Sequence, residues 1–334
     1  MRLHFEEVTE QLEKTLLKYD CPPKRARQVA AVMAENSLEG TYTHGINRFA
    51  WLINTIKLGL CNPASEISPI AAYGAIENYD GNRGIGVSNA IFCIDRAIEL
   101  AEKQGIGCVA LRNTNHWMRA ATYGYRACGA GMASICFTNT LPNMPTWGAT
   151  DSRLGNNPLS FAFPREKGDL ICDMAMSQFS YGILEMAVME RRQMPIDAGF
   201  DKDGNLTKDP AQVIESQRIL PMGYWKGAAL AHLLDIFAAT LSLGNTTAAI
   251  SEFAEGIDQR VSQFFMAINY RAIAPRELSD SIVENSVAWL LNSQSADDKK
   301  PIIFTGQIAL ETRAFNLKHG IPVNETVWKE ILAL

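Results

Sequence analysis

The stretch from Thr41 to Arg48, TYTHGINR, carries the residues of this chain that are best suited to acid–base chemistry on an anionic substrate. The imidazole of His44 titrates near neutral pH, whereas the guanidinium of Arg48 can bind a carboxylate through two hydrogen bonds. Gly40 is predicted to end the preceding helix and Thr43 to cap a second one, on which residues 44 and 48 would share a face. The alternative is an exposed polar helix start without function, because motifs this short are weak evidence.

Three further polar clusters follow along the chain. Asn115-His116-Trp117 comes directly after an apolar strand, where loops often carry functional groups, although packing at a domain boundary would explain it equally well. The turn LGNNP at 154–158 precedes Asp173, an acidic residue that ends an apolar run and needs a partner if it is buried. The stretch PMGYWKG at 221–227 opens an apolar helix. Lys226 and the free N–H groups there would suit a phosphate, or form a simple helix cap with a solvated lysine.

Several common catalytic and binding motifs do not occur in the sequence. The five histidines show no metal-binding spacing, so no metal site is expected. There is neither a G-x-S-x-G elbow nor a Walker P-loop. The loop GNRGIG at 81–86 precedes a helix and can seat a phosphate in principle, but its glycine spacing is the reverse of the Rossmann fingerprint. A Rossmann dinucleotide site is therefore not expected.

Length and composition limit the class of protein. The 334 residues exceed what one hydrophobic core usually supports, which predicts two domains. A net charge of −5 argues against nucleic acid and anionic membranes as partners, but not against a small anionic substrate. Seven scattered cysteines without a C-x-x-C pair, and an N-terminal stretch without the apolar core of a signal peptide, predict a cytoplasmic protein.

The spacing of apolar residues predicts helices near both ends of the chain and strands between them. Helices are expected at 4–18, 24–39, 226–243, 276–292, 307–319 and 324–333, and strands at 107–111, 132–139, 158–164, 169–177 and 263–270. Short connections between the middle strands favour antiparallel or mixed pairing. The expected architecture is an α/β fold with an α+β-like mixed sheet. Residues 1–75 and 276–334 would form a helical lobe, and 76–275 a sheet-containing domain.

These clusters, in this order, resemble the type-2 malate/L-lactate dehydrogenase family, which is distinct from the Rossmann-fold malate and lactate dehydrogenases. The resemblance covers nearly the whole chain and rests on THGINRF (43–49), ALRNTNHWMRAATYGYRA (110–127), LGNNPLSFAFP (154–164), ICDMAMSQFSYG (171–182) and LPMGYWKG (220–227). Three positions depart from the family pattern. Thr43 replaces a serine, Asn156 replaces the threonine of a Gly-Thr-Asn-Pro turn, and Thr305-Gly306-Gln307-Ile308 replaces Pro-Gly-x-Glu, with loss of an acidic residue.

The resemblance implies a nicotinamide cofactor in a non-Rossmann NAD-binding fold, with a helical lobe from both termini. It also implies a homodimer with its active sites near the subunit interface. By resemblance, His44 is the proton donor, Arg48 binds the substrate carboxylate, and His116 is a second histidine with an acid/base role in some relatives. The residues that would contact the cofactor are Asp169, Leu170, Ile171, Cys172, Asp173, Met174, Ala175, Trp225, Lys226 and Gly306.

The expected activity is the NADH-dependent reduction of the ketone of a small anionic sugar acid or another 2-oxo acid. NADH is preferred over NADPH mainly on the resemblance, because no isolated basic loop is evident for a 2′-phosphate. Malate, lactate, ureidoglycolate or a cyclic imino acid are alternative substrates within the same fold. An alternative of another class is a cofactor-free lyase or isomerase in which His44, Arg48 and His116 act as acid, clamp and base.

Overall fold

The chain folds into helices and strands that alternate along most of its length, in a computed structural model that describes residues 1–253, 257–297 and 300–334. The strands are β1 (Arg2–Leu3), β2 (Ser68–Tyr73), β3 (Ile76–Asp80), β4 (Ile106–Thr114), β5 (Ala133–Thr138), β6 (Met144–Pro145), β7 (Ser152–Leu154), β8 (Leu159–Phe163), β9 (Leu170–Met174), β10 (Gly199–Phe200), β11 (Leu206–Thr207), β12 (Val261–Ile268) and β13 (Ile321–Pro322). The α-helices are α1 (Phe5–Leu17), α2 (Pro23–Leu38), α3 (Phe49–Lys57), α4 (Gly86–Gln104), α5 (Ala121–Gly129), α6 (Tyr181–Met189), α7 (Pro210–Ser216), α8 (Trp225–Ser242), α9 (Thr247–Ser251), α10 (Arg276–Leu291), α11 (Gln307–His319) and α12 (Glu325–Ala333).

A seven-stranded sheet forms the centre of the fold, in the order β2-β3-β4-β12-β5-β8-β9. β3 and β4 pair in parallel, and the other neighbours in the sheet are antiparallel. The 19-residue helix α4 provides the crossover that the parallel pair requires, whereas the short connection from β8 to β9 permits only antiparallel pairing. The predicted mixed α/β fold, with antiparallel or mixed pairing, is confirmed.

Helices cover both faces of the sheet. In β4, Val109 and Leu111 point into a core built with residues of α1 to α5, whereas Cys108 and Ala110 point into a second core built with α6 and α8. Successive residues of a strand face opposite sides of a sheet, so an uninterrupted apolar run needs cover on both sides. None of the α-helices in the described ranges is both long enough and apolar enough to cross a membrane.

Elements from the two ends of the chain pack together. β1 pairs with β13, α12 contacts α1 and α3, and α11 contacts α2. The helices predicted near both termini are therefore present, with bounds close to those expected. The division into a helical lobe, 1–75 with 276–334, and a sheet-containing domain, 76–275, stays a prediction.

Candidate active site

The segment TYTHGINR folds as two short 3₁₀ helices rather than as part of one α-helix. Tyr42–His44 and Ile46–Arg48 are separated by Gly45, whose backbone angles, φ −116° and ψ −129°, are not helical. The predicted helix with Thr43 as its cap is therefore wrong. The hydroxyl of Thr43 lies 3.1 Å from Nδ1 of His44 instead.

Close packing against α2 causes this departure from a helix. A Cβ on Gly45 would lie 2.1 Å from Oγ of Ser37, so a side chain at this position would prevent the approach. The N–H of Ile46 donates to the same Oγ at 2.8 Å, and the side-chain amide of Asn36 donates to the carbonyl of His44 at 2.9 Å. Contacts with α2 therefore set where the imidazole lies.

His116 lies in the loop after β4, and the GNRGIG turn supports that loop. The side-chain amide of Asn115 donates to two carbonyls of the turn at 2.9 Å each. A Cβ on Gly86 would lie 2.1 Å from the carbonyl oxygen of Asn115. The protein's own backbone thus fills the space at the start of α4, and the turn positions His116.

Tertiary packing brings His44, Arg48 and His116 together, as the predicted acid–base chemistry requires. The ring centroids of the two histidines are 5.7 Å apart, and their planes differ by 13°. Trp51 of α3 meets the His116 ring edge-on at 5.7 Å, and the guanidinium carbon of Arg48 lies 4.4 Å from the Trp51 ring centroid. Sequence reasoning missed Trp51, although its helical spacing of three from Arg48 was a usable signal.

Both histidines are neutral at pH 7 in the free protein. Burial, followed by the positive charges of Arg48 and Arg119, lowers the pKa of His44 to about 4. Burial, followed by the charges of His44 and Arg48, lowers the pKa of His116 well below its usual 6.5. The N–H of Met118 donates to Nδ1 of His116 at 3.0 Å, so the neutral ring carries its proton on Nε2.

Arg48 has no ion-pair partner within 4 Å among the residues that the structure describes. Burial lowers the pKa of Arg48, and the more distant carboxylates of Asp258 and Glu185 act against this. Burial also raises the pKa of Asp258 to about 6, although the N–H of Leu141 donates to its Oδ1 at 2.7 Å. A partly desolvated guanidinium that forms no close ion pair with the described residues is suited to bind an anionic ligand.

Most of the residues predicted to contact a cofactor lie on or beside β9, which is an edge strand. Asp169 precedes the strand and Ala175 follows it. At Ile171, the N–H donates to the carbonyl of Thr305 at 3.3 Å, and the hydroxyl of Thr305 donates back to the carbonyl of Ile171 at 2.5 Å. A Cβ on Gly306 would lie 2.8 Å from the carbonyl oxygen of Asp169, so the predicted Gly306 does lie beside β9.

Trp225 and Lys226, which open α8, lie near the opposite end of β9. The N–H of Met222 donates to the carbonyl of Met176 at 2.8 Å, and a Cβ on Gly227 would lie 2.6 Å from that same oxygen. The side chains of Trp225 and Lys226 are both exposed. The predicted cofactor residues therefore form one continuous row, from Gly306 along β9 to the start of α8.

The two ends of this row differ in their surroundings. Met174 pairs with Leu159, and the adjacent Pro158 lines a small cavity with His116. At the other end, an open cavity of about 600 Å³ is lined by Asp169 and Gly306 but not by the histidines. Over the described ranges, no cluster of three or more His, Cys, Asp or Glu side chains is arranged to hold a metal ion.

The family to which this arrangement belongs is decided by a match over almost the entire chain. The family model described as malate/L-lactate dehydrogenase covers residues 3–332. The chain belongs to the malate/L-lactate dehydrogenase family. It is accordingly an oxidoreductase, and its mixed sheet differs from the parallel sheet of Rossmann dehydrogenases.

Relatives within the malate/L-lactate dehydrogenase family match this chain over its full length. A protein named 2,3-diketo-L-gulonate reductase from Mannheimia succiniciproducens is 37% identical over 334 residues, and one of the same name from Escherichia fergusonii is 39% identical; each match covers 100% of both chains. Among solved structures, malate dehydrogenase from Entamoeba histolytica has a TM-score of 0.95 at 26% identity, covering 100% of this chain and 96% of that chain.

Proposed function

We propose that the protein uses NADH to reduce the ketone of a 2-oxo sugar acid, converting 2,3-diketo-L-gulonate to 3-keto-L-gulonate. The observation that carries this proposal is the guanidinium of Arg48, which forms no ion pair within 4 Å with any described residue, beside the stacked rings of His44 and His116. This arrangement supplies a cation for a carboxylate next to groups that can protonate a carbonyl oxygen. The relatives named 2,3-diketo-L-gulonate reductase, at 37% and 39% identity, support this choice of substrate.

Arg48 binds the substrate carboxylate, and His44 donates the proton. The bound carboxylate offsets the positive charge of Arg48, which is one of the causes of the low pKa of His44. Substrate binding therefore favours the protonated imidazole, which donates to the carbonyl oxygen as the ketone is reduced. The hydroxyl of Thr43, 3.1 Å from Nδ1 of His44, can donate to the neutral ring or accept from the charged one. His116 packs against His44 and holds it in place.

The row along β9 fits a nicotinamide cofactor. An edge strand presents backbone donors and acceptors to a ligand, and Lys226 with the start of α8 suits a phosphate. The family's late acidic residue is absent here, but the N–H of Phe304 donates to Oε1 of Gln307 at 3.2 Å, which keeps the turn at Gly306 in place. Residues 169–175, Trp225, Lys226 and Gly306 would hold the cofactor, which when bound supplies the hydride for the carbonyl carbon.

We also propose that the enzyme is a cytoplasmic homodimer with its active sites near the subunit interface. α8 starts at the cofactor row and exposes Leu233 and Phe237 by 52% and 55%, and α10 exposes Trp289 by 84%. Exposed apolar side chains grouped on helix faces are typical of protein interfaces. A partner that covers α8 would lie beside the active site. The seven free cysteines suit a reducing compartment.

A panel of 2-oxo acids assayed with NADH and NADPH, by loss of nicotinamide absorbance, tests the proposed function. We expect the highest kcat/KM for 2,3-diketo-L-gulonate with NADH, and loss of turnover in His44→Ala with cofactor binding retained. Preference for pyruvate, oxaloacetate, a ureidoglycolate-type acid or a cyclic imino acid would contradict the proposed substrate. Absence of both turnover and a cofactor-induced thermal shift would favour a cofactor-free lyase or isomerase.

A further inference from the structure

Arg119, which the proposed mechanism does not use, is the buried centre of a series of alternating charges. Its side chain is 8% exposed and donates through Nη1 to the carboxylate of Glu39. Its Nε lies 3.8 Å from Oδ2 of Asp173. Glu39 also pairs with Arg313 at 3.2 Å, and the guanidinium carbon of Arg119 lies 5.6 Å from the Tyr125 ring centroid. The order of charges is therefore Asp173, Arg119, Glu39, Arg313.

Glu39, Arg119 and Asp173 lie in three segments that each carry part of the candidate active site. Glu39 is the C-terminal cap residue of α2 and leads directly into the TYTHGINR segment. Arg119 follows His116 by three residues in the loop after β4. Asp173 lies on β9, and its Oδ2 also accepts the N–H of Ala121, the first residue of α5, at 2.9 Å. One guanidinium thus connects the His44 segment, the His116 loop and the cofactor-side strand.

We infer that Arg119 is a positioning residue, which holds His44 and His116 in their stacked arrangement and connects both to β9. This inference rests on the proposed function, because positioning matters there for proton transfer. Arg119 acts through Glu39 and Asp173, and through its charge, which contributes to the low pKa of His44. The other groups that face His44 are Arg48, from its own segment, and His116, from the loop after β4.

The geometry requires an arginine at this position. The guanidinium directs Nη1 to Glu39 and Nε towards Asp173, whereas a lysine ammonium is a single point charge. Removal of the arginine leaves each carboxylate one partner, because Glu39 keeps Arg313 and Asp173 keeps the N–H of Ala121. Substitution of Arg119 therefore leaves neither carboxylate without a partner.

The test combines an NMR titration of His44 in the free protein with steady-state kinetics of ketone reduction. In Arg119→Met, the pKa of His44 is expected to rise above its wild-type value, and kcat to fall on the order of 100-fold with a smaller change in KM. In Arg119→Lys, kcat is expected to fall while the pKa stays close to wild type. Arg126→Met is the matched control, because its guanidinium pairs with Asp95 on the surface, and it should change neither quantity.

Two results would overturn the positioning role. One is an unchanged His44 titration in Arg119→Met, whether activity is kept or is lost only in proportion to the folded fraction. The other, which decides the matter if Arg119→Met does not fold, is wild-type kcat in Arg119→Lys. If the wild-type protein oxidises no NADH, the proposed function fails. The titration of the free protein still tests Arg119 in that case, so the two failures are distinguishable.

Discussion

Lowering the pH from 7 to 5 is expected to raise kcat/KM for ketone reduction about 100-fold. This constant depends on the protonation state of the free enzyme, in which the pKa of His44 is about 4. His44 must carry its proton to act as the acid. Above its pKa, the protonated fraction rises about tenfold for each unit by which the pH falls. The neutral form predominates throughout this range, so the enzyme gains activity over all of it.

The reverse reaction provides an internal comparison. Oxidation of the hydroxy acid requires neutral His44 as the base, and the free enzyme already has it above about pH 5. Its kcat/KM is therefore expected to stay nearly constant between pH 5.5 and 7.5. Initial rates at low substrate concentration, followed by nicotinamide absorbance, measure both directions. Ionic strength must be kept constant, because salt screens the attraction between Arg48 and the substrate.

Asp258 also titrates between pH 5 and 7, so its effect on kcat/KM must be separated from that of His44. Its pKa is about 6, and its ionised form opposes binding of an anion at Arg48. In Asp258→Asn, any break near pH 6 should disappear while the tenfold slope remains. His44→Gln should remove the slope itself.

Two outcomes would refute this reasoning. A constant kcat/KM for reduction between pH 5 and 7 would mean that His44 does not donate the proton, whereas a rise of only about fourfold that levels off below pH 6 would mean that its pKa is close to the ordinary 6.5. A slope that persists in His44→Gln but disappears in His116→Gln would assign the donor to His116.

Three further predictions follow from the site and its supports. Arg48→Lys is expected to raise KM for the 2-oxo acid about tenfold with little change in kcat, because lysine cannot bind a carboxylate bidentately; steady-state kinetics measures both, and an unchanged KM would place the side chain away from the substrate. His44→Gln is expected to gain stability relative to wild type as the pH falls from 6.5 towards 4, by up to about 3 kcal/mol in the free energy of unfolding. The reason is that His44 has a pKa of about 4 in the folded protein and an ordinary, higher pKa when unfolded, so protons bind the unfolded wild type first. Urea unfolding across this range measures the difference between the two proteins, and a difference that does not change with pH would contradict the prediction. Gly306→Ala is expected to lower the free energy of unfolding by about 1–3 kcal/mol, because its φ is +98° and its Cβ would lie 2.8 Å from the carbonyl oxygen of Asp169. The control is Gly105→Ala, at φ +82° with no atom within 4 Å of its Cβ, which should lower that free energy by less in the same urea unfolding measurement. Equal losses in the two variants would exclude the contact with Asp169 as the cause.

Short-range patterns predicted most of the elements that support the site. α8 was expected at 226–243 and covers Trp225–Ser242, and β12 was expected at 263–270 and covers Val261–Ile268. The spacing of apolar residues is a local property of the chain, so it predicts helices and strands even when the tertiary contacts are not known. The helix predicted over His44 and Arg48 is not formed, because tertiary contacts decide the conformation of that segment. There, contacts with Ser37 and Asn36 of α2 outweigh local preference.

The sequence by itself determined the candidates for the chemistry, since His44, Arg48 and His116 were predicted from residue type, polar context and family resemblance. Only the tertiary structure decided how these groups act on one another. Their stacking, the pKa of His44 near 4 and the lack of a close ion pair between Arg48 and any described residue all arise from burial among segments that are far apart in the chain. Burial and charge proximity depend on distances in space, and spacing along the sequence does not set those distances.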